Sequence, residues 1–262
     1  MNNKKPIYFS VTSTFDNQEL LYKCLKTCLK QTIMPNKIFI WLSEKPYLLD
    51  RGFPNKKLTN TLLIDLIHNH INLIEIKWVD NEGPFRKLIP ILKKKWNEDC
   101  FIITIDDDII YKDTLIQSLI EDYNKYKCVI SYRCFLPPMK SLHQFKYIHK
   151  WVNGTKHLWN LPTNGAGSLY KPEFFHKTKD LIFNKEIYLK TCDKRDDIWY
   201  YIVRIKNGVE CYGNCKKRQY DFQECPSNKK KHEGLYSHFN RYNDNNTKAF
   251  INTLNLFKKL LI

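Results

Sequence analysis

Short apolar runs and amphipathic stretches take turns along the first half of the chain. Residues 7–13 are apolar and β-branched with little alternation, which predicts a buried first strand. Asp16 stands where an N-cap is expected. Leu20, Leu21, Cys24, Leu25, Cys28 and Leu29 then recur at helical spacing. Pro35-Asn36 ends that pattern, and 37–42 reads as a second strand. A polar, proline-containing stretch runs to about residue 57. Beyond it the pattern predicts a helix at 58–68, a strand at 71–79, a helix at 86–96, a strand at 100–105, a helix at 113–126 and a strand at 128–132. Regular alternation of this kind gives an α/β fold with a mostly parallel central sheet and helices on both faces.

After Arg133 the texture changes. Residues 135–159 are irregular, aromatic and basic, and Asn164-Gly165-Ala166-Gly167 reads as a small-residue loop. Residues 196–206 form a helix by pattern, with Ile198, Tyr201, Ile202 and Ile205 on one face. Residues 226–233 read as a mobile loop and 246–261 as a C-terminal helix. No internal repeat or linker divides the 262 residues, so a single domain spanning 1–262 is expected.

Composition narrows the class. Hydrophobic residues at 43% are enough for a substantial core. The apolar run at 100–105 has only a strand's length, well short of the roughly 20 residues that cross a bilayer. The N-terminal residues 1–6 lead straight into the first strand and do not resemble a signal peptide. Nine scattered cysteines, an odd number, then read as reduced thiols of a cytoplasmic protein. Cys24 and Cys28 share a helix face and read as core. Cys211, Cys215, Cys225 and His232 have zinc-ligand chemistry, but C-x3-C-x9-C-x6-H is not a familiar zinc spacing.

Lys and Arg number 43 against 27 Asp and Glu, a net charge of +16. Such an excess favours polyanions, and it is equally compatible with lysines that simply solvate the surface. Leu254, Phe257, Lys258, Lys259, Leu260 and Leu261 form a basic amphipathic segment. It either packs on the domain or associates weakly with the inner face of an anionic membrane.

The sharpest chemical signal is Ile102-Ile103-Thr104-Ile105-Asp106-Asp107-Asp108. Three carboxylates close a buried strand, at the sheet edge where α/β proteins bind ligands. Like charges so placed call for a cation, and hard oxygen donors suit Mn²⁺ or Mg²⁺ shared with substrate phosphates. A solvated turn ahead of a helix is the plain alternative.

This cluster resembles the DxD motif of GT-A-fold glycosyltransferases. Val11-Thr12-Ser13-Thr14 resembles that family's nucleoside-side strand end, and residues 80–88, from Asp80 through Arg86 and Lys87, resemble its donor-side segment. Residues 164–170, followed by Asp196-Asp197-Ile198-Trp199, resemble the acceptor loop and acidic pair of family-2 bacterial polysaccharide, capsule and lipopolysaccharide glycosyltransferases. The resemblance covers roughly residues 6–210. It implies a nucleotide-sugar-binding half at 1–133 and an acceptor-binding half at 134–262. It implies Asp108 as direct metal ligand, with Asp106 as a further ligand or ribose partner. Thr12, Asp80, Arg86, Lys87, Asp106 and Asp107 would line the donor side, with Asp107 possible as a structural residue pointing away. Arg86 and Lys87 also fit an ordinary basic first helical turn.

Gly165, Ala166, Gly167 and Trp199 would meet the acceptor, a glycan or glycolipid. Paired carboxylates separate in pKa, which suits acid–base work. By the family pattern Asp197 is the base and Asp196 its neighbour, with inversion at the anomeric carbon. Ordinary helix N-terminal capping is the alternative for both. Trp151 and Trp159 are further stacking candidates, and His232 or His238 would be a late metal ligand.

Two other readings stay open. A haloacid-dehalogenase-type phosphatase would use Asp106 as nucleophile, although there the motif ends the first strand. A nucleic-acid-binding protein would suit the charge, but no aromatic–basic motif recurs, and nucleic acid is not the expected partner.

Overall fold

The structure is a computed structural model that describes residues 5–137, 150–192, 194–221 and 245–260. Four strands come first: β1 (Ile7–Thr12), β2 (Lys37–Leu42), β3 (Ile74–Trp78) and β4 (Phe101–Asp106). The helices among and after them are α1 (Gln18–Cys28), α2 (Thr61–Asn69), α3 (Ile89–Lys94) and α4 (Leu115–Tyr126). Shorter strands follow: β5 (Ile110–Tyr111), β6 (Val129–Ser131), β7 (Cys134–Phe135), β8 (Asn153–His157), β9 (Leu161–Pro162), β10 (Ala166–Tyr170), β11 (Cys211–Asn214) and β12 (Tyr220–Asp221). Helices α5 (Lys179–Ile182), α6 (Lys185–Thr191) and α7 (Asp196–Lys206) lie between β10 and β11, and a helix at Asn245–Leu260 comes last.

Eight strands make one sheet in the order β3-β2-β1-β4-β10-β6-β11-β8, and β5–β12 and β7–β9 are two-stranded ribbons. The first four are mutually parallel, as the near-continuous apolar sequences of β1, β2 and β4 predict; β3 alternates apolar and charged residues. Strand β10 runs antiparallel between β4 and β6, β11 returns parallel to β6, and β8 closes that edge antiparallel. The α/β class and mostly parallel sheet therefore stand, with β10 and β8 reversed.

The core follows the helical and strand periodicities. Leu21, Cys24, Leu25 and Cys28 of α1 are fully buried against the sheet, so Cys24 and Cys28 pack as expected. The predicted helix at 86–96 divides instead into a 3₁₀ turn at Gly83–Lys87 and α3. Pro90 has no N–H to continue a helix and is tolerated only in its first turn. Asp16 is not an N-cap: it lies in a 3₁₀ turn at Phe15–Asn17 and pairs with Arg51 at 3.0 Å.

Of the loop expected at 164–167, Asn164 and Gly165 form a turn and Ala166 and Gly167 are strand. Ala166 begins β10, and residues 161–170 are buried throughout. The C-terminal helix packs through Ala249, Phe250 and Thr253, with the Phe250 ring 5.8 Å from that of Tyr201. Side chains at 256–262 lie outside the described residues, as do Cys225, His232, His238 and the loop at 226–233. Among the described residues no helix is long and apolar enough to cross a membrane.

Candidate functional site

Strand β4 ends in register with β1, so that Thr12 and Asp106 are ladder neighbours at the carboxyl edge of the parallel strands. From there the three aspartates meet three environments. Asp106 forms an ion pair with Lys87. Asp107 is buried and accepts hydrogen bonds from Ser13 Oγ and, at 3.1 Å, from Asn17 Nδ2. Asp108 is exposed as a residue.

Their proton affinities follow. Burial pushes Asp107 up to about 6, with the Ser13 and Asn17 bonds working the other way and Asp106 repelling it. The protein around Asp108, together with the charges of Asp107 and Asp106, pushes it up to about 7.

Lys87 is the buried cation of the site. Its backbone is fixed by Ser10 Oγ, which donates to the Lys87 carbonyl at 2.6 Å. Burial alone would lower the ammonium's pKa. Asp106, then Asp196 and Asp197, more than offset that and hold it above its ordinary value. One ammonium thus serves carboxylates from the end of β4 and from the first turn of α7.

Those two acidic groups are also joined through the chain between them. Asn164 N–H donates to Asp197 Oδ1 at 2.8 Å. The carbonyl of Gly165 accepts from Asp106 N–H at 2.9 Å and from the Tyr111 hydroxyl. Thr104 Oγ1 donates to the Asn164 carbonyl at 2.6 Å, and Tyr170 donates to Asn164 Oδ1. A Cβ on Gly165 would lie within the Asp106 carboxylate, so only glycine lets the turn close on it. Asp197 is half-buried. Burial raises its carboxyl, while Lys87 and the Asn164 N–H restrain the rise. Asp196 is buried, with Oδ2 lacking a hydrogen-bond partner among the described residues. Burial and then Asp197 push it up to about 7.

Several residues expected at the site do other work. Arg86 is 2% exposed, and its guanidinium bonds Ser43 Oγ at 2.8 Å, Asp50 Oδ2 at 3.0 Å and the Gly83 carbonyl at 3.1 Å. A buried guanidinium with these partners braces the loop at 43–52 and is not presented to a ligand. Ala166 is fully buried in β10, and a Cβ on Gly167 (φ +87°) would meet Leu115 Cδ1 at 2.8 Å. Trp199 is fully buried, packs on Tyr188 and donates from Nε1 to the Ile182 carbonyl at 3.3 Å. The acceptor-side set of Ala166, Gly167 and Trp199 is therefore core, and Gly165 faces Asp106.

Asp80 is exposed, 3.5 Å from Lys185. Thr12 Oγ1 donates to the Trp41 carbonyl at 2.9 Å. Trp151 is 48% exposed, and its ring lies 4.7 Å from that of Phe135, tilted by 51°. The sequence pattern did not flag Asn164 as a link, because its contribution is a backbone N–H. Asp50 was hidden in a stretch without periodicity.

The donor set was tested for a divalent ion. Among the described residues no three His, Cys, Asp or Glu side chains converge to hold one. Asp107 is committed to Ser13 and Asn17, Asp106 faces Lys87, and Asp108 is exposed as a residue. That set fits a cation completed by ligand phosphates and water, and not a cage built from protein alone. Of the candidate zinc ligands, Cys211 is buried in β11 and Cys215 Sγ lies 3.3 Å from the backbone N of Cys134, while Cys225 and His232 lie outside the described residues.

No family model matches the chain, and no curated protein matches it. Among solved structures it is similar to S. aureus TarS 1–349, with a TM-score of 0.54 at 14% identity over 82% of this chain and 59% of that one. The values are the same for TarS 1–349 in complex with UDP. For TarS 1–349 in complex with UDP-GlcNAc the TM-score is 0.51 at 11% identity, over 82% of this chain and 57% of that one. The chain thus spans less than two thirds of the length of those structures. What the likeness establishes is a shared fold: a mostly parallel sheet flanked by helices, built on a framework that in TarS has been seen with UDP and UDP-GlcNAc.

Proposed function

We propose that this protein is a glycosyltransferase that moves a sugar from a nucleotide-sugar donor to a hydroxyl of a glycan or glycolipid. The observation that carries the reading is one connected polar site. Carboxylates at the carboxyl end of β4 and a carboxylate pair opening α7 share the buried Lys87 and are tied through Asn164-Gly165. The fold shared with structures solved with UDP and UDP-GlcNAc supports a nucleotide-sugar as the donor class.

In this reading residues 1–133 serve the donor and 134–262 the acceptor. The donor diphosphate sits at the end of β4, near Thr12, Asp106 and Asp108. Lys87 supplies fixed positive charge, which favours the charge that develops on the leaving diphosphate. Asp108, with Asp106, would hold Mn²⁺ or Mg²⁺ there, which when bound neutralises diphosphate charge.

A sugar hydroxyl is a weak nucleophile at neutral pH and must lose its proton as the new bond forms. Asp197 is assigned as the group that takes it. Its carboxyl is held in place by the Asn164 N–H, and a raised pKa makes its ionised form a stronger base. Attack from the face opposite the diphosphate inverts the anomeric carbon. Asp106 ends the fourth strand in chain order and is ion-paired, which counts against the phosphatase reading.

Calorimetry of UDP and UDP-sugars, with Mn²⁺ and with EDTA, tests the donor site. Saturable, metal-enhanced binding is expected. Equal affinity in EDTA removes the metal, and no nucleotide binding at all removes the reading. The anomeric configuration of the product, read by NMR, tests inversion.

A further inference from the structure

Strand β3 is an end strand of the eight-stranded sheet and pairs only with β2. Two bonds fix which way its backbone faces. Ile38 N–H donates to the Leu73 carbonyl at 2.8 Å, and Val79 N–H donates to the Leu42 carbonyl at 2.9 Å. In a parallel ladder both polar groups of one residue face the same neighbour. Residues 73, 75, 77 and 79 therefore face β2, and Ile74, Ile76 and Trp78 turn theirs to the open edge. The Ile74 N–H is taken by the His70 carbonyl at 2.8 Å. Among the described residues no partner meets the backbone groups of Ile76 or Trp78.

The chain leading into this edge is unusually apolar at its surface. Six large hydrophobic side chains are exposed among the described residues, and Leu62 (56%), Ile64 (41%) and Ile71 (65%) all lie in α2 and the turn before β3. An unpaired edge beside exposed apolar side chains is a template for another strand unless something protects it.

We infer that a second copy of this chain docks here, with the two β3 strands pairing antiparallel about Ile76. The sequence Ile74-Glu75-Ile76-Lys77-Trp78 is self-complementary in that register. Ile76 meets Ile76, Ile74 meets Trp78, and Glu75 of each copy stands opposite Lys77 of the other. These charged residues occupy the non-hydrogen-bonded positions, where opposite side chains come closest, and opposite charges there are favourable. Registers centred on Glu75 or on Lys77 would place like charges face to face. Glu75 and Lys77 already pair within one copy, so both reach the same side of the strand. Ile76 and Trp78 supply the outward donors and acceptors for the new ladder. The exposed Leu62, Ile64 and Ile71 lie in the chain segment that leads into this strand.

Sedimentation equilibrium of the full chain at low salt tests this. The expected mass rises with concentration from 31.5 kDa toward twice that value. Glu75→Lys and Lys77→Glu should each be monomeric alone. An equimolar mixture of the two should form a heterodimer, and the double exchange should restore self-association. Ile76→Pro removes an N–H that bonds nothing among the described residues, so it should stay folded by circular dichroism and be monomeric. A wild-type chain that is monomeric at every concentration overturns the proposal. So does a dimer that survives both single charge variants, since its interface would then lie elsewhere.

Discussion

Asp106, Asp107 and Asp108 leave one strand end for three different environments, whereas Asp196 and Asp197 share the first turn of one helix. In the first cluster each charge has its own answer: an ammonium for Asp106, two neutral donors for Asp107, an exposed position for Asp108. In the second, Asp197 accepts from the Asn164 N–H, Asp196 has a backbone bond from Asp197, both feel Lys87, and Asp196 Oδ2 has no partner among the described residues. The first cluster thus spreads its charges over separate partners, while the second crowds two carboxyls into one helical turn. Burial raises carboxyl pKa values in both, and in the second Asp197 adds to the rise at Asp196.

The contrast breaks most sharply at Asp197. If the second cluster is the proton acceptor, Asp197→Asn loses about 10²–10⁴-fold in turnover, while calorimetric affinity for the nucleotide stays near wild type. A loss of affinity equal to the loss of rate would move Asp197 to the donor side.

Lys87 belongs to both clusters, and its removal should be costly to the fold itself. Lys87→Met leaves buried carboxylates without their cation, and breaking a buried pair costs about 3–5 kcal/mol. Urea unfolding at neutral pH measures that loss. Adding Asp106→Asn to the same variant should recover part of it. No recovery would mean that Asp106 is not the principal partner.

Gly165→Ala sharpens the comparison from the other direction, because the added methyl has no space beside the Asp106 carboxylate. Displacing that carboxylate should weaken UDP binding by about tenfold, roughly 1.4 kcal/mol. Gly208→Ala is the control: its φ is +73° but nothing lies within 4 Å, so it should cost some stability and leave UDP binding unchanged.

The smallest effect expected is in pH dependence. Asp196 is raised from 3.8 to about 7 by burial and by Asp197. The folded state then holds a proton that the unfolded state has released, so this group's contribution to stability falls as pH rises from about 4 to about 7. Asp196→Asn removes that fall. Its urea midpoint should decline less than wild type between pH 5 and 8, with only mild loss of turnover. Parallel decline in the two proteins would show that Asp196 does not titrate in this window.

Much of this arrangement was legible along the chain. Ile102-Ile103-Thr104-Ile105 before three aspartates read as a buried strand delivering carboxylates to an edge, with a solvated turn as the alternative. Asp196-Asp197 ahead of an apolar helical stripe placed the second pair with equal clarity. That Ala166, Gly167 and Trp199 are buried was not legible, for a physical reason. Glycine and tryptophan serve a ligand surface and a packed core equally well, and nothing local separates the two uses. Gly167 is a glycine because Leu115 lies against it, and Trp199 is buried beneath α6 residue Tyr188. Arg86 reads as a free cation until Asp50, 36 positions away, is seen to hold it.

The sequence by itself determined the class of fold, the order of the first four strands and the two places where carboxylates gather. These are short-range properties, written in periodicity and in adjacent residues. Only the tertiary structure decided that β10 would slide antiparallel between β4 and β6, because strand neighbours are chosen by burial across the whole sheet. That insertion carries Asn164 and Gly165 to the end of β4. There one peptide segment and one buried lysine connect two acidic groups that lie 90 residues apart along the chain, a coupling that only long-range electrostatics and close packing can create.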